Sequence, residues 1–117
     1  MDIERKTGQK GLFFMSGGIE FVSLGYCSND YLCKVDEIPL DHKVEAVSHL
    51  TQGGGPAATA AVAAARLGMN TAFVGVAGDD DSGKIILRDF AEEKVNTEYM
   101  KTRPGCSTST AFCWVDK

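Results

Sequence analysis

The stretch Gly53-Gly54-Gly55-Pro56-Ala57-Ala58-Thr59-Ala60-Ala61-Val62-Ala63-Ala64-Ala65-Arg66-Leu67-Gly68 joins bare backbone to the start of a helix, and its reading decides the fold. Three glycines leave main-chain groups unshielded, and a helix beginning there presents unpaired N–H donors and the positive end of its dipole. An oxygen-rich ligand suits such a place. The helix is well specified: Pro56 fits the first turn, the alanines are strong helix formers, and Gly68 stands where a C-terminal glycine cap belongs.

Working outward, residues 21–25 (Phe-Val-Ser-Leu-Gly) read as a buried strand ending on a glycine, and residues 31–35 as a second strand stopped by the turn-rich residues 36–39. Residues 44–51 alternate as a partly exposed strand before the glycine run. Beyond Gly68, residues 71–76 (Thr-Ala-Phe-Val-Gly-Val) form the next buried strand and lead to Gly78-Asp79-Asp80-Asp81-Ser82-Gly83. Asp81 or Ser82 is expected to cap a helix running to about Lys94, with Ile86, Leu87, Phe90 and Ala91 as its apolar stripe. A last strand covers residues 108–115. Strand, helix, strand, helix with short links means an α/β architecture with parallel pairing, and the polar strands fit it less well, so they are expected to form a separate small β flap or lid. That lid takes in about residues 31–52 and 97–117. The sequence stops directly after a strand, whereas a parallel sheet needs both faces covered, so a truncated piece of a larger enzyme, or a chain requiring a partner, is expected.

Composition narrows the function classes. The chain has 117 residues, 44% of them hydrophobic, enough for a single core. Twelve Lys and Arg stand against 16 Asp and Glu, a formal charge of -4 with no basic block to track a phosphate backbone, so nucleic acid is not expected as a partner. Residues 1–19 read as a disordered leader and residues 20–117 as the α/β portion. The apolar patch Leu12-Phe13-Phe14-Met15 is shorter than the roughly 7 residues of a signal-peptide core, and no stretch approaches the roughly 20 apolar residues of a membrane span. Cys27, Cys33, Cys106 and Cys113 lack zinc-knuckle spacing and suit reduced thiols in a cytoplasmic protein.

Three templates compete for the glycine run. A P-loop needs Gly-Lys-Ser/Thr, and here Pro56-Ala57 follows, so neither the ammonium nor the magnesium-binding hydroxyl is in place. A dinucleotide fingerprint matches in Gly53, Gly55 and Ala58 with Asp79 downstream, but His49, Thr51 and Gln52 are too polar for its buried first strand. A backbone cradle for a sugar fits best. The run Asp79-Asp80-Asp81 tempts a metal reading, yet consecutive carboxylates on a turn diverge and no Glu closes the loop, so a dipole-favoured helix start is expected and no metal site. His42 and His49 are too isolated to argue for nucleophilic or metal chemistry.

The glycine run, its helix and the following Thr71-Ala72-Phe73-Val74-Gly75-Val76-Ala77-Gly78-Asp79-Asp80 resemble the first signature of the ribokinase-like (PfkB) carbohydrate kinase family. The likeness extends over residues 21–116, with wording most similar to sulfofructose-kinase-like members. The resemblance implies the N-terminal part of a ribokinase-like fold. It makes Asp30 the aspartate that holds the sugar hydroxyls, through charge-assisted hydrogen bonds, and makes Gly54 and Gly55 the pair that lets the sugar approach the backbone. Thr59 stands where many members have a sugar-binding asparagine, and a hydroxyl lacks the amide's reach and paired donors. Pro56 stands where ribokinases proper tend to have lysine, which counts against plain ribose specificity. Lys43, in the flap, is placed to meet an anionic group such as a sulfonate or phosphate on the substrate.

The family transfers a phosphoryl group from ATP, with Mg2+, to a sugar hydroxyl, mostly by positioning and charge stabilisation. Its base is an aspartate in a Gly-Ala-Gly-Asp-type motif near the C-terminal end. The resemblance therefore assigns no catalytic residue, nucleotide contact or metal ligand to this chain, and it implies a homodimer through the lid strands. Two alternatives stay beside it: a non-catalytic, sugar-binding or dimerising truncated paralogue, and a dinucleotide-binding oxidoreductase fragment.

Overall fold

The computed structural model describes residues 17–116. The leader expected over residues 1–19 therefore lies outside the described residues as far as residue 16. At its end, the Asn70 side-chain amide donates to the carbonyls of Gly17 and Gly18, at 3.0 and 3.4 Å.

The elements, in chain order, are β1 (Phe21–Leu24), β2 (Ser28–Lys34), β3 (Ser48–Gly54), α1 (Pro56–Arg66), β4 (Thr71–Val74), β5 (Val76–Gly78), α2 (Asp81–Glu92), β6 (Lys101–Arg103) and β7 (Ser109–Val115). The body is built on β1 and β4, which pair in parallel from Phe21 opposite Thr71 to Leu24 opposite Val74. Helix α1 connects the chain back to β4 and packs on both strands through Ala58, Ala61 and Ala64, spaced to share one face. Methyl-sized side chains let the helix lie close to the sheet, and the Ser23 hydroxyl donates to the Ala57 carbonyl at 2.7 Å. Gly68, at φ +93, ends the helix just past the Leu67 C-cap in the left-handed conformation that glycine adopts freely. Phe73 and Phe90 meet at 4.8 Å between ring centres, and Cys27, Ile86 and Val95 join them in the core.

The second layer is a three-stranded sheet in the order β3-β2-β7, with β2–β3 antiparallel and β2–β7 parallel. This is the expected flap. Its side chains are largely exposed: Phe112 is 73% and Trp114 53% accessible, with Tyr31 stacked on Phe112 at 5.1 Å.

Several boundaries differ from the sequence reading. Strand β2 begins at Ser28, three residues early, and β3 covers Ser48–Gly54 rather than residues 44–51, so Gly53 and Gly54 are ladder residues and not a loop. The antiparallel partner decides this, because Gly54 pairs with Ser28 and Gly53 with Asn29. Glycine run and strand overlap, so the turn at the end of a buried parallel strand that a dinucleotide site requires does not form. The single strand expected over residues 71–76 is divided at Gly75, where a Cβ would stand 2.5 Å from the Phe73 ring and 2.6 Å from the Gly25 carbonyl oxygen. Helix α2 is capped by Asp80, not Asp81 or Ser82: its carboxylate accepts from Gly83 N at 2.9 Å. Strand β6 falls within the expected lid stretch 97–117 but pairs with β5 instead.

Candidate functional site

The site begins where β3 ends and α1 starts. Gly55 is the N-cap at φ +94, and a Cβ there would lie 2.7 Å from the Tyr26 carbonyl oxygen, so glycine is required twice over, by backbone and by space. No side chain caps α1, which leaves the opening N–H groups of the helix to solvent or a ligand. Strand β2 brings Asp30 to the same place. A Cβ on Gly54 would lie 2.0 Å from Asp30 Oδ2, so the carboxylate rests directly on the bare Gly54 backbone. Ser28 Oγ donates to Asp30 Oδ1 at 2.7 Å and fixes its orientation. Gln52 faces Asp30 in the β2–β3 register, on the same side of the sheet.

A groove of about 650 Å³ opens beside this corner and runs between α1 and α2. Ser28, Gln52, Gly54 and Thr59 line its upper end, with Val62 and Phe90 among its walls. At the lower end, Arg66 Nε donates to Glu93 Oε2 at 2.8 Å, and a second bond from Nη2 to Oε1 completes a bidentate pair. The Glu93 carboxyl is held below the usual range by its hydrogen bond to Arg66.

Of the sequence-derived site residues, Gly54 and Thr59 line the groove, Asp30 and Gly55 adjoin it through Gly54, and Lys43 is not brought to it. Lys43 is exposed in the irregular segment between β2 and β3. Ser28 and Gln52 escaped the sequence reading. The signal for Ser28 was its two-residue offset from Asp30, which becomes a shared face only once β2 starts at Ser28.

The other polar groups are committed elsewhere. Cys27 is buried, which pushes its thiol up and leaves it a protonated weak donor towards the Val76 carbonyl rather than a nucleophile. Asp79 accepts from Gly105 N, Asp80 caps α2, and Asp81 pairs with Lys84 at 2.8 Å. The three carboxylates thus diverge, and among the described residues no group of three or more His, Cys, Asp or Glu converges on a metal position. What the corner offers is a fixed carboxylate acceptor, unshielded backbone and the hydroxyl of Thr59, which together can hold a polyhydroxylated ligand.

The pfkB family carbohydrate kinase model matches residues 19–117. Ribokinase of Bacillus subtilis (strain 168) is 38% identical over 89 residues, 75% of this chain and 30% of that protein. The ATP-dependent ribose-1-phosphate kinase of Halopiger xanaduensis is 30% identical over 99 residues, 84% of this chain and 33% of that protein. The structure of Arabidopsis thaliana ribokinase complexed with ribose and ATP superposes with a TM-score of 0.74 at 25% identity, covering 82% of this chain and 32% of that one. The chain spans about a third of the length of these relatives.

Proposed function

Because the chain belongs to the pfkB family of carbohydrate kinases, we propose that it supplies the sugar-holding side and the lid of an ATP-dependent sugar kinase. The observation that carries this reading is the Asp30 carboxylate lying on the bare backbone of Gly54, a residue that lines the groove. Asp30 accepts hydrogen bonds from two neighbouring sugar hydroxyls, and Ser28 holds it in the orientation that this needs. Gly54 and Gly55 let the sugar approach the main chain, and Thr59 donates to or accepts from a further hydroxyl. Lys43 is reserved for an anionic group, a phosphate or sulfonate, on a substrate long enough to reach the β2–β3 connection. In the family reaction the phosphoryl group comes from ATP with Mg2+. We assign those ligands, and the base that takes the hydroxyl proton, to no residue of this chain. A cytoplasmic location goes with this reading and with four free thiols, and no described helix is long and apolar enough to cross a membrane.

The test is a calorimetric titration of the chain with ribose, fructose and a sulfonated or phosphorylated sugar, alongside an assay with ATP and Mg2+. Saturable sugar binding that Asp30→Asn abolishes is expected, with no turnover. Lys43→Gln should weaken only the anionic sugar. Binding that survives Asp30→Asn, or robust turnover, overturns the assignment.

A second reading, in which lids pair to make a homodimer, is favoured by Phe112 and Trp114, exposed on the lid face opposite Asp30. Sedimentation should then find a dimer that Trp114→Asp converts to monomer. A monomer at every concentration sinks that reading.

A further inference from the structure

We propose that the N-terminus of α2 is the seat that sets the angle of the lid over the groove, with Asp80 and Thr108 as its positioning residues. The proposal rests on the reading of the β3-β2-β7 sheet as the lid of a sugar site.

Thr108 immediately precedes β7 and is 6% accessible. Its N–H donates to Asp80 Oδ2 at 2.8 Å, and its hydroxyl donates to Asp80 Oδ1 while accepting from Gly78 N at 2.9 Å. Both carboxylate oxygens and the hydroxyl are thus drawn into one knot, since Oδ1 also accepts from Gly83 N. Two glycines make the approach possible. A Cβ on Gly83 would stand 2.2 Å from the Gly78 carbonyl oxygen and 3.0 Å from Thr108 Oγ1, and one on Gly78 would stand 2.0 Å from the Cys106 carbonyl oxygen. Three residues earlier, Gly105 N donates to Asp79 Oδ1 at 3.1 Å, so the segment entering β7 is gripped at both ends by the acidic run.

The other lid strand reaches the same helix end. Asn29 in β2 is fully buried, and its amide donates to Ser82 Oγ at 3.4 Å and to the Tyr31 hydroxyl at 3.1 Å. Both β2 and β7 are therefore pinned to the first turn of α2, whereas β3 enters α1 through Gly54 and Gly55 with no side-chain cap. One root is bonded and the other is glycine. The bonded root fixes where β2 and β7 leave the body, which makes Asp79 and Asp80 a device for lid placement.

Hydrogen exchange on the full chain tests this without any sugar, so its failure is separable from a failure of sugar binding. Thr108→Val keeps the side-chain shape but removes both hydroxyl bonds, and should speed exchange of β2 and β7 amides by about tenfold or more, the scale of one to two lost buried hydrogen bonds. Amides of β1, β4 and α1 should keep their wild-type rates, and Thr108→Ser should restore the lid. A rise spread equally over body and lid, or no rise at all, overturns the proposal. Should Thr108→Val fail to fold, Ser82→Ala must still speed exchange in β2 while sparing α1, and failure to do so is equally fatal.

Discussion

The β1–β4 body and the β3-β2-β7 lid are both sheets, yet they are held by different forces. In the body, Phe73, Ala72 and the alanine face of α1 are withdrawn from water, and burial of apolar surface dominates. In the lid, every residue of β3 before Gly54 is exposed, and β7 is little better covered, so strand ladders and a few placed polar contacts keep its form. The contrast teaches that the glycine run belongs to both regimes at once: Gly54 closes the lid ladder, and Gly55 opens the buried helix.

The harshest way to break the contrast is to strike the body. Phe73→Ala removes a fully buried ring in contact with Phe90 and is expected to cost roughly 3–5 kcal/mol. Denaturant melts should lose body and lid together, because the lid has no core of its own to survive on. A lid that outlives the body would refute that dependence.

Next comes the shared corner. Gly54→Ala must displace the Asp30 carboxylate, and Gly55→Ala adds a side chain at φ +94 against the Tyr26 carbonyl, costing on the order of 1–3 kcal/mol in backbone strain alone. Gly54→Ala should abolish sugar binding with only a small drop in melting temperature. Gly55→Ala should lower both, and equal effects from the two would blur the division between regions.

A milder probe is acid. Hydrogen bonds from Thr108, then from the Gly83 amide, hold the Asp80 carboxyl below the ordinary carboxylate range. A depressed carboxyl contributes stability that is present above its unfolded pKa of about 3.9 and is lost as pH falls through the lower folded value. Lid amides should therefore stay protected from pH 7 to about 5 and lose protection below about 4. Loosening near pH 6 would exclude Asp80 as the cause.

The smallest effect is expected at the lower end of the groove. Arg66→Met removes an exposed bidentate pair with Glu93, and such pairs contribute little and are screened by salt. Its melting-temperature change should be the least of the set and should vanish at 1 M salt. A larger, salt-resistant change would mean that the pair fixes the angle between α1 and α2.

Most of the body was legible because its signals are local. Alanine content, Pro56 at the start and Gly68 at the end specify α1 to within a residue, and the apolar residues 21–24 and 71–74 announce strands wherever they pack. The lid was legible only as something polar. Nothing in residues 44–54 says where pairing starts, since a polar strand has no buried face to set its register; β3 takes its limits from Ser28–Lys34 across the ladder. The α2 cap was likewise expected at Asp81 or Ser82, and it falls on Asp80, which Thr108, 28 residues away, also bonds.

By itself, then, the sequence determined an α/β body and a glycine-to-helix corner, because helix propensity, caps and burial patterns act over a few residues; the sugar-holding role of Asp30 came from the family resemblance alone. Only the tertiary structure decided that Asp30 rests on Gly54, that Lys43 stays away from the groove, and that Asp79 and Asp80 bond the segment leading into β7. Those contacts join residues far apart in the chain, and their energy exists only once the strands and helices carrying them have packed.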